Sequence, residues 1–159
     1  MTCFFEATNI SEGRGTEKPF QYVGAPFVVD ERMGAGRMVD VLTVTMNSLR
    51  LPGVQCSPIA FTPTASKFKD EASSGIAVEV TSWDSLRPVI SGLRMIGVFQ
   101  KLYPQTEIRK AGLQRLLGSS KAADMLVRGE AVGVLESQWR RSAISFRTKS
   151  KRYFIYGSR

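Results

Sequence analysis

Histidine is missing altogether from these 159 residues. Its absence excludes a His-based triad, a His general base and His metal ligands on this chain. Cysteine is scarce. Cys3 and Cys56 both fall in predicted strands and read as small buried hydrophobes rather than as a disulfide. With no CxxC pair and no histidine, a zinc site is excluded as well. No apolar run approaches the roughly 18 residues that a membrane span requires. Acidic residues are absent from Ser137 onward, where Arg140, Arg141, Arg147, Lys149, Lys151, Arg152 and Arg159 follow one another.

What is present describes one domain with enough apolar content to bury a core. The net charge of +8 is unevenly divided. Residues 1–80 hold 7 Lys/Arg against 9 Asp/Glu, and residues 81–159 hold 15 against 5. The basic second half points to an anionic partner or an acidic surface. A polyanion- or nucleic-acid-binding module using residues 131–159 is therefore one reading. Against it, no RNA or DNA signature accompanies the charge, and the aromatics there look core-directed.

The apolar pattern predicts strands at Thr2–Thr8, Val54–Phe61 and Gly75–Thr81, the last with Ile76, Val78 and Val80 on one face. Val23–Val29 is at best a strand end, broken by Gly24 and Pro26, and Gly34 and Gly36 form a flexible joint. Met38, Val41, Leu42, Met46 and Leu49 fall at helical spacing, and Pro52-Gly53 ends that helix. Asp84 or Ser85 is expected to cap a second helix with a stripe of Leu86, Val89, Ile90, Leu93 and Ile96, ending at Tyr103-Pro104. Helices follow over Ala111–Leu117, Ser120–Arg128 (capped by Ser119 or Ser120) and Ala131 to about Phe146. Leu135, Trp139 and Phe146 line one side of the last. Tyr153–Tyr156 reads as a final strand or an apolar tail docked on the core. The fold class expected is α/β: a mixed sheet with covering helices and a helix-rich carboxy-terminal third.

Two polar loops, Asn9–Phe20 and Thr62–Ser74, each follow a predicted strand. If those strands are parallel neighbours joined by the Met38–Leu49 crossover helix, both loops emerge at one sheet edge. Ligand crevices in open α/β sheets lie there. In the first loop Gly13 and Gly15 flank Arg14, which lets the backbone take φ > 0 and approach a ligand closely. The chain opens only just before a predicted core strand, as expected of one domain cut from a larger protein.

The run Phe5–Thr16, then Pro19-Phe20 and Gly24-Ala25-Pro26, resembles the NamZ/YbbC-like family of bacterial exo-β-N-acetylmuramidases. So do Leu51–Val54, Phe61–Lys67, Gly75–Val80, Trp139 with Phe146, and Arg152–Tyr156. Ala7 stands where glycine is common, and Ala65 and Ser73-Ser74 replace larger or Cys-containing residues. The resemblance covers the carboxy-terminal lobe alone. It implies a missing amino-terminal Rossmann-like lobe carrying the catalytic glutamates, a cell-envelope or secreted setting, and no cofactor. For this chain it implies substrate holding, with N-acetylmuramic acid-terminated peptidoglycan as the ligand. Arg14 would grip the lactyl carboxylate as a charge-assisted fork. Thr8, Asn9, Ser66 and Lys67 would serve sugar hydroxyl and amide groups, with Glu6, Glu12 and Thr16 beside them. Glu6 and Glu12 as an acid–base pair is the weaker assignment, since one lies in a predicted strand and the other in a loop. An inactive truncated product is a third reading.

Overall fold

The computed structural model describes residues 1–28 and 37–156, with side chains omitted for 37–40. The joint at Gly34 and Gly36, the end of the Val23–Val29 segment and Arg159 lie outside the described residues. Among the described residues three strands form one sheet in the order β1-β3-β2: β1 (Tyr22–Ala25), β2 (Val54–Phe61) and β3 (Ser73–Val80). Five α-helices accompany them among the described residues: α1 (Arg37–Ser48), α2 (Pro88–Leu102), α3 (Lys110–Leu117), α4 (Ser120–Val127) and α5 (Val132–Ser150). An α/β domain with covering helices and a helix-rich last third is thus what the chain forms.

The pairing differs from the expected parallel crossover. β1 and β2 both run antiparallel to β3. The predicted strand Thr2–Thr8 is a 3-10 helix over Thr2–Ala7. The reason is visible in what it buries. Phe4 and Phe5 both face the core, and adjacent residues of a strand point to opposite faces. Turning the chain lets both pack inward, with the Phe5 ring set edge-on to Phe99 at 5.4 Å. The same turn leaves Cys3 exposed, whereas Cys56 is buried as expected, and both thiols are free.

β3 is the central strand, and it buries Ile76 and Val78 on one face. β2 is an edge strand, largely exposed, and tolerates Pro58, which has no N–H to donate, because among the described residues no further strand pairs with its outer side. Leu42 and Met46 of α1 pack against the sheet, and Leu93, Ile96 and Phe99 of α2 join them in one core, with α2 lying against α1 and the Thr2–Ala7 turn. Val41 is 40% exposed and lies off that stripe.

α2 starts later than its apolar spacing implies. Pro88 occupies the first helical turn, where its fixed φ suits the helix and its missing N–H costs nothing. Neither Asp84 nor Ser85 caps it. Leu86 therefore precedes the helix, and Val89 is 41% exposed. Ser119 does cap α4, accepting from the Ala122 N–H at 3.2 Å.

In α5 only the first half is anchored. Leu135 is buried and Trp139 half-buried, but Phe146 is 71% exposed. The tail neither forms a strand nor docks: Lys151–Tyr153 is a short 3-10 turn, and Tyr153, Phe154, Ile155 and Tyr156 are all exposed.

Candidate functional site

The two polar loops meet although their strands are not parallel neighbours. Gly13 and Gly15 have φ of 77° and 80°, so the chain turns tightly on either side of Arg14. A side chain at Gly15 would collide with the Ala65 backbone, so glycine permits the loops to touch. The Thr64 N–H and hydroxyl then both donate to the Gly15 carbonyl, at 2.8 and 2.9 Å.

At the junction lies Glu12, whose side chain is 3% exposed. Its Oε1 accepts from Arg14 Nε at 3.1 Å and its Oε2 from Lys67 Nζ at 2.8 Å. Lys67 also donates to the carbonyls of Phe5 (2.7 Å) and Ile10 (2.9 Å). A lysine ammonium has three donors, and all three have partners inside the protein. Burial outweighs the Glu12 pairing and pulls the Lys67 pKa below the ordinary lysine value; nearby Arg109 pushes the same way.

Arg14 is the outward-facing member. Its Nη2 donates to Glu6 Oε1 at 2.8 Å, and its guanidinium carbon sits 4.8 Å above the Phe20 ring. The hydrogen bond it donates to Glu6, more than the Glu12 pairing, raises its pKa further. The Arg14 side chain remains 49% exposed and that of Glu6 37%. Phe20 is held at φ 62°, a conformation costly for an aromatic residue, by its N–H bond to the Glu12 carbonyl at 2.7 Å and by Thr2, whose hydroxyl donates to the Phe20 carbonyl. Ser66, Phe68 and Asp70 also take positive φ, so the second loop concentrates backbone strain beside the same cluster.

The remaining expected residues divide by exposure. Thr8 is fully buried, its hydroxyl donating to the Phe5 carbonyl and accepting from the Ile10 N–H. Asn9 clasps the loop before α3: its Nδ2 donates to the Gln105 carbonyl at 2.8 Å and its Oδ1 accepts from the Glu107 N–H at 2.9 Å. Thr16 donates to the Gly13 carbonyl at 2.7 Å. Ser66 is exposed. Glu17 lies off the cluster and accepts from the Tyr22 hydroxyl.

Arg109 belongs to the site and was not among the expected residues. Its guanidinium donates to the Glu6 and Thr8 carbonyls, and its N–H to the Ala7 carbonyl at 2.7 Å. No local pattern marks it, because its partners lie about a hundred residues away in the chain. Among the described residues no group of three or more Cys, Asp and Glu side chains is placed to hold a metal. No helix among them is long and apolar enough to cross a membrane.

The chain as a whole is matched by known proteins. The family model described as the carboxy-terminal part of exo-β-N-acetylmuramidase NamZ matches residues 1–156, and the chain belongs to that family. It is 35% identical over 157 residues to the peptidoglycan β-N-acetylmuramidase NamZ of Bacillus subtilis, which covers 98% of this chain and 36% of that protein. The chain thus spans about a third of the length of the curated relative it matches. Two crystal structures of DUF1343 family proteins from Bacteroides fragilis share the fold. One superposes with a TM-score of 0.82 at 21% identity, over 98% of this chain and 40% of that one. The other gives 0.60 at 18% identity, over 99% and 39%.

Proposed function

We propose that this chain is the substrate-holding lobe of a peptidoglycan-degrading exo-β-N-acetylmuramidase. It grips terminal N-acetylmuramic acid while carboxylates on a separate amino-terminal lobe cut the glycosidic bond. The observation that carries this reading is Arg14, half-exposed and held in place by Glu6, Glu12 and the Phe20 ring. Arg14, Lys67 and Arg109 supply three cations against the two carboxylates of Glu6 and Glu12, so the cluster has positive charge left for a ligand anion. The lactyl carboxylate of muramic acid is such an anion. Glu6 is the more exposed carboxylate, so a ligand displaces it from Arg14 more readily than it displaces Glu12. Ser66 is exposed and Asn9 and Thr16 are partly exposed, which leaves them open to sugar hydroxyl and amide groups. Thr8, Glu12 and Lys67 act behind them by fixing the loops.

The test is a titration of wild type, Arg14→Ala and Arg14→Lys with N-acetylmuramic acid and N-acetylglucosamine. The first variant should lose about ten- to hundredfold for the carboxylated sugar alone, the range for a hydrogen bond to a charged group. Lysine should recover part, because an ammonium cannot form the planar fork. Equal losses for both sugars would end this reading. A polyanion-binding role has one observation in its favour: Arg140, Arg141, Arg147 and Lys149 are all exposed on the acid-free end of α5. Binding to nucleic acid that weakens steeply with salt, beside absent sugar binding, would favour it.

A further inference from the structure

Beside the Arg14 cluster runs a groove of about 880 Å3 that the muramic acid reading does not use. Trp83, Leu86, Pro19 and Phe20 are among the residues that line it, together with Glu79 and Gln21. Phe20 is common to both places: Arg14 lies over its ring, and the residue also lines the groove. Trp83 is 78% exposed, on the turn between β3 and α2. That turn is braced, since the Thr81 N–H donates to the Gly53 carbonyl at 2.9 Å and the Ser85 hydroxyl to the Ser82 carbonyl at 3.4 Å. The indole is therefore presented on an ordered support. An isolated surface tryptophan needs no explanation, but one facing a groove of ligand size, joined to a site through a strained phenylalanine, calls for a ligand.

We propose that this groove is a second sugar subsite, in which a neutral N-acetylhexosamine ring stacks on Trp83. This rests on the muramic acid reading of the Arg14 cluster. A pyranose has an apolar C–H face and polar edges, and an aromatic ring flanked by a carboxylate and an amide matches both. Charge decides which sugar. Glu79 is exposed and makes no ion pair among the described residues, so the groove disfavours a second lactyl carboxylate and accepts an uncharged sugar. Anion on the Arg14 side and neutral ring on the Glu79 side fits a glycan in which carboxylated and uncharged amino sugars alternate.

Calorimetric titration of the full chain tests this with three probes: N-acetylmuramic acid, N-acetylglucosamine, and the β-1,4 disaccharide with muramic acid at its non-reducing end. The disaccharide should bind about tenfold more tightly than N-acetylmuramic acid, the worth of one good aromatic stacking contact. Trp83→Ala should bring that ratio close to one, and Trp83→Tyr should retain most of it. A ratio unchanged in Trp83→Ala overturns the subsite. So does a wild-type ratio of one, and in both cases the muramic acid reading stands. If the wild type binds none of the three sugars, both readings fall together.

Discussion

Replacing Glu12 by glutamine should destabilise the chain far more than a loop substitution ordinarily does. Glu12 is nearly fully enclosed and takes one cation on each oxygen, Arg14 on Oε1 and Lys67 on Oε2. A glutamine amide offers one acceptor and one nitrogen with two donors. Either flip sets a donor against a donor, at Arg14 Nε or at Lys67 Nζ. It also leaves the Lys67 ammonium with carbonyl partners but no counter-charge. Breaking a buried pair from one side costs about 3–5 kcal/mol. The Lys67 side chain is 19% exposed and keeps some hydration, so the lower end applies, about 3 kcal/mol. For a chain of this size that is a fall of roughly 6–12 °C in Tm. Lys67→Met should cost a similar amount, since it strands the Ile10 carbonyl and one oxygen of the enclosed Glu12, while the Phe5 carbonyl keeps the Thr8 N–H and hydroxyl. The double variant decides whether the pair acts as a unit. Its loss should fall short of the summed single losses by about 1–3 kcal/mol. Urea unfolding followed by circular dichroism measures all three. Single losses under about 1 kcal/mol, in the range of a surface ion pair, would refute a loop frame built on Glu12.

Burial pushes the Cys56 thiol from 9.0 up to about 11. The fold thus keeps a proton that the unfolded chain loses. Its contribution is complete below pH 9 and falls away as pH rises through 11, by about 2–3 kcal/mol. Cys56→Ala should flatten that part of the alkaline stability curve. The Tyr22 hydroxyl, raised by its bond to Glu17, adds a further alkaline loss common to both proteins, so their difference isolates the thiol. The chain by itself should release no N-acetylmuramic acid from a chromogenic muramide. Turnover that vanishes in Glu6→Gln or Glu12→Gln would show these carboxylates to be catalytic after all.

The sequence made the secondary structure legible where periodicity was strong. β2 has the bounds its apolar pattern implies, and β3 and α3 agree to within two residues. Pairing direction was not legible, because it depends on how distant segments close. Thr2–Ala7 shows why composition misleads: aromatic and apolar content favours a strand, yet burying neighbouring Phe4 and Phe5 together requires a turn. The tail fails for a related reason. Tyr153–Tyr156 is apolar enough to be core, but apolarity does not say which surface it meets. The Gly13-Arg14-Gly15 motif and the Ser66-Lys67 loop were visible as candidates. Their partners were not, since Lys67 reaches across 55 residues to Glu12 and Arg109 across 103 to Glu6.

The way the cluster is wired also bears on what it can do chemically. A carboxylate pair that hydrolyses a glycoside must leave room between its members for the sugar, with water on one face or a direct approach to the anomeric carbon. Here one guanidinium bridges Glu6 and Glu12, so that space is filled by Arg14 itself. Glu12 is further removed, since its own side chain is enclosed and both its oxygens accept from cations. Freeing it would strand Lys67, which has no other counter-charge within hydrogen-bonding reach among the described residues. Glu6 can leave Arg14 with less cost, because both groups reach solvent. The inner pair therefore sets the position of the outer one. Glu12 and Lys67 lock the two loops, the loops fix Gly13 and Gly15, and these present Arg14 over Phe20 with an edge facing outward. Such an arrangement favours recognising an anion over transferring a proton.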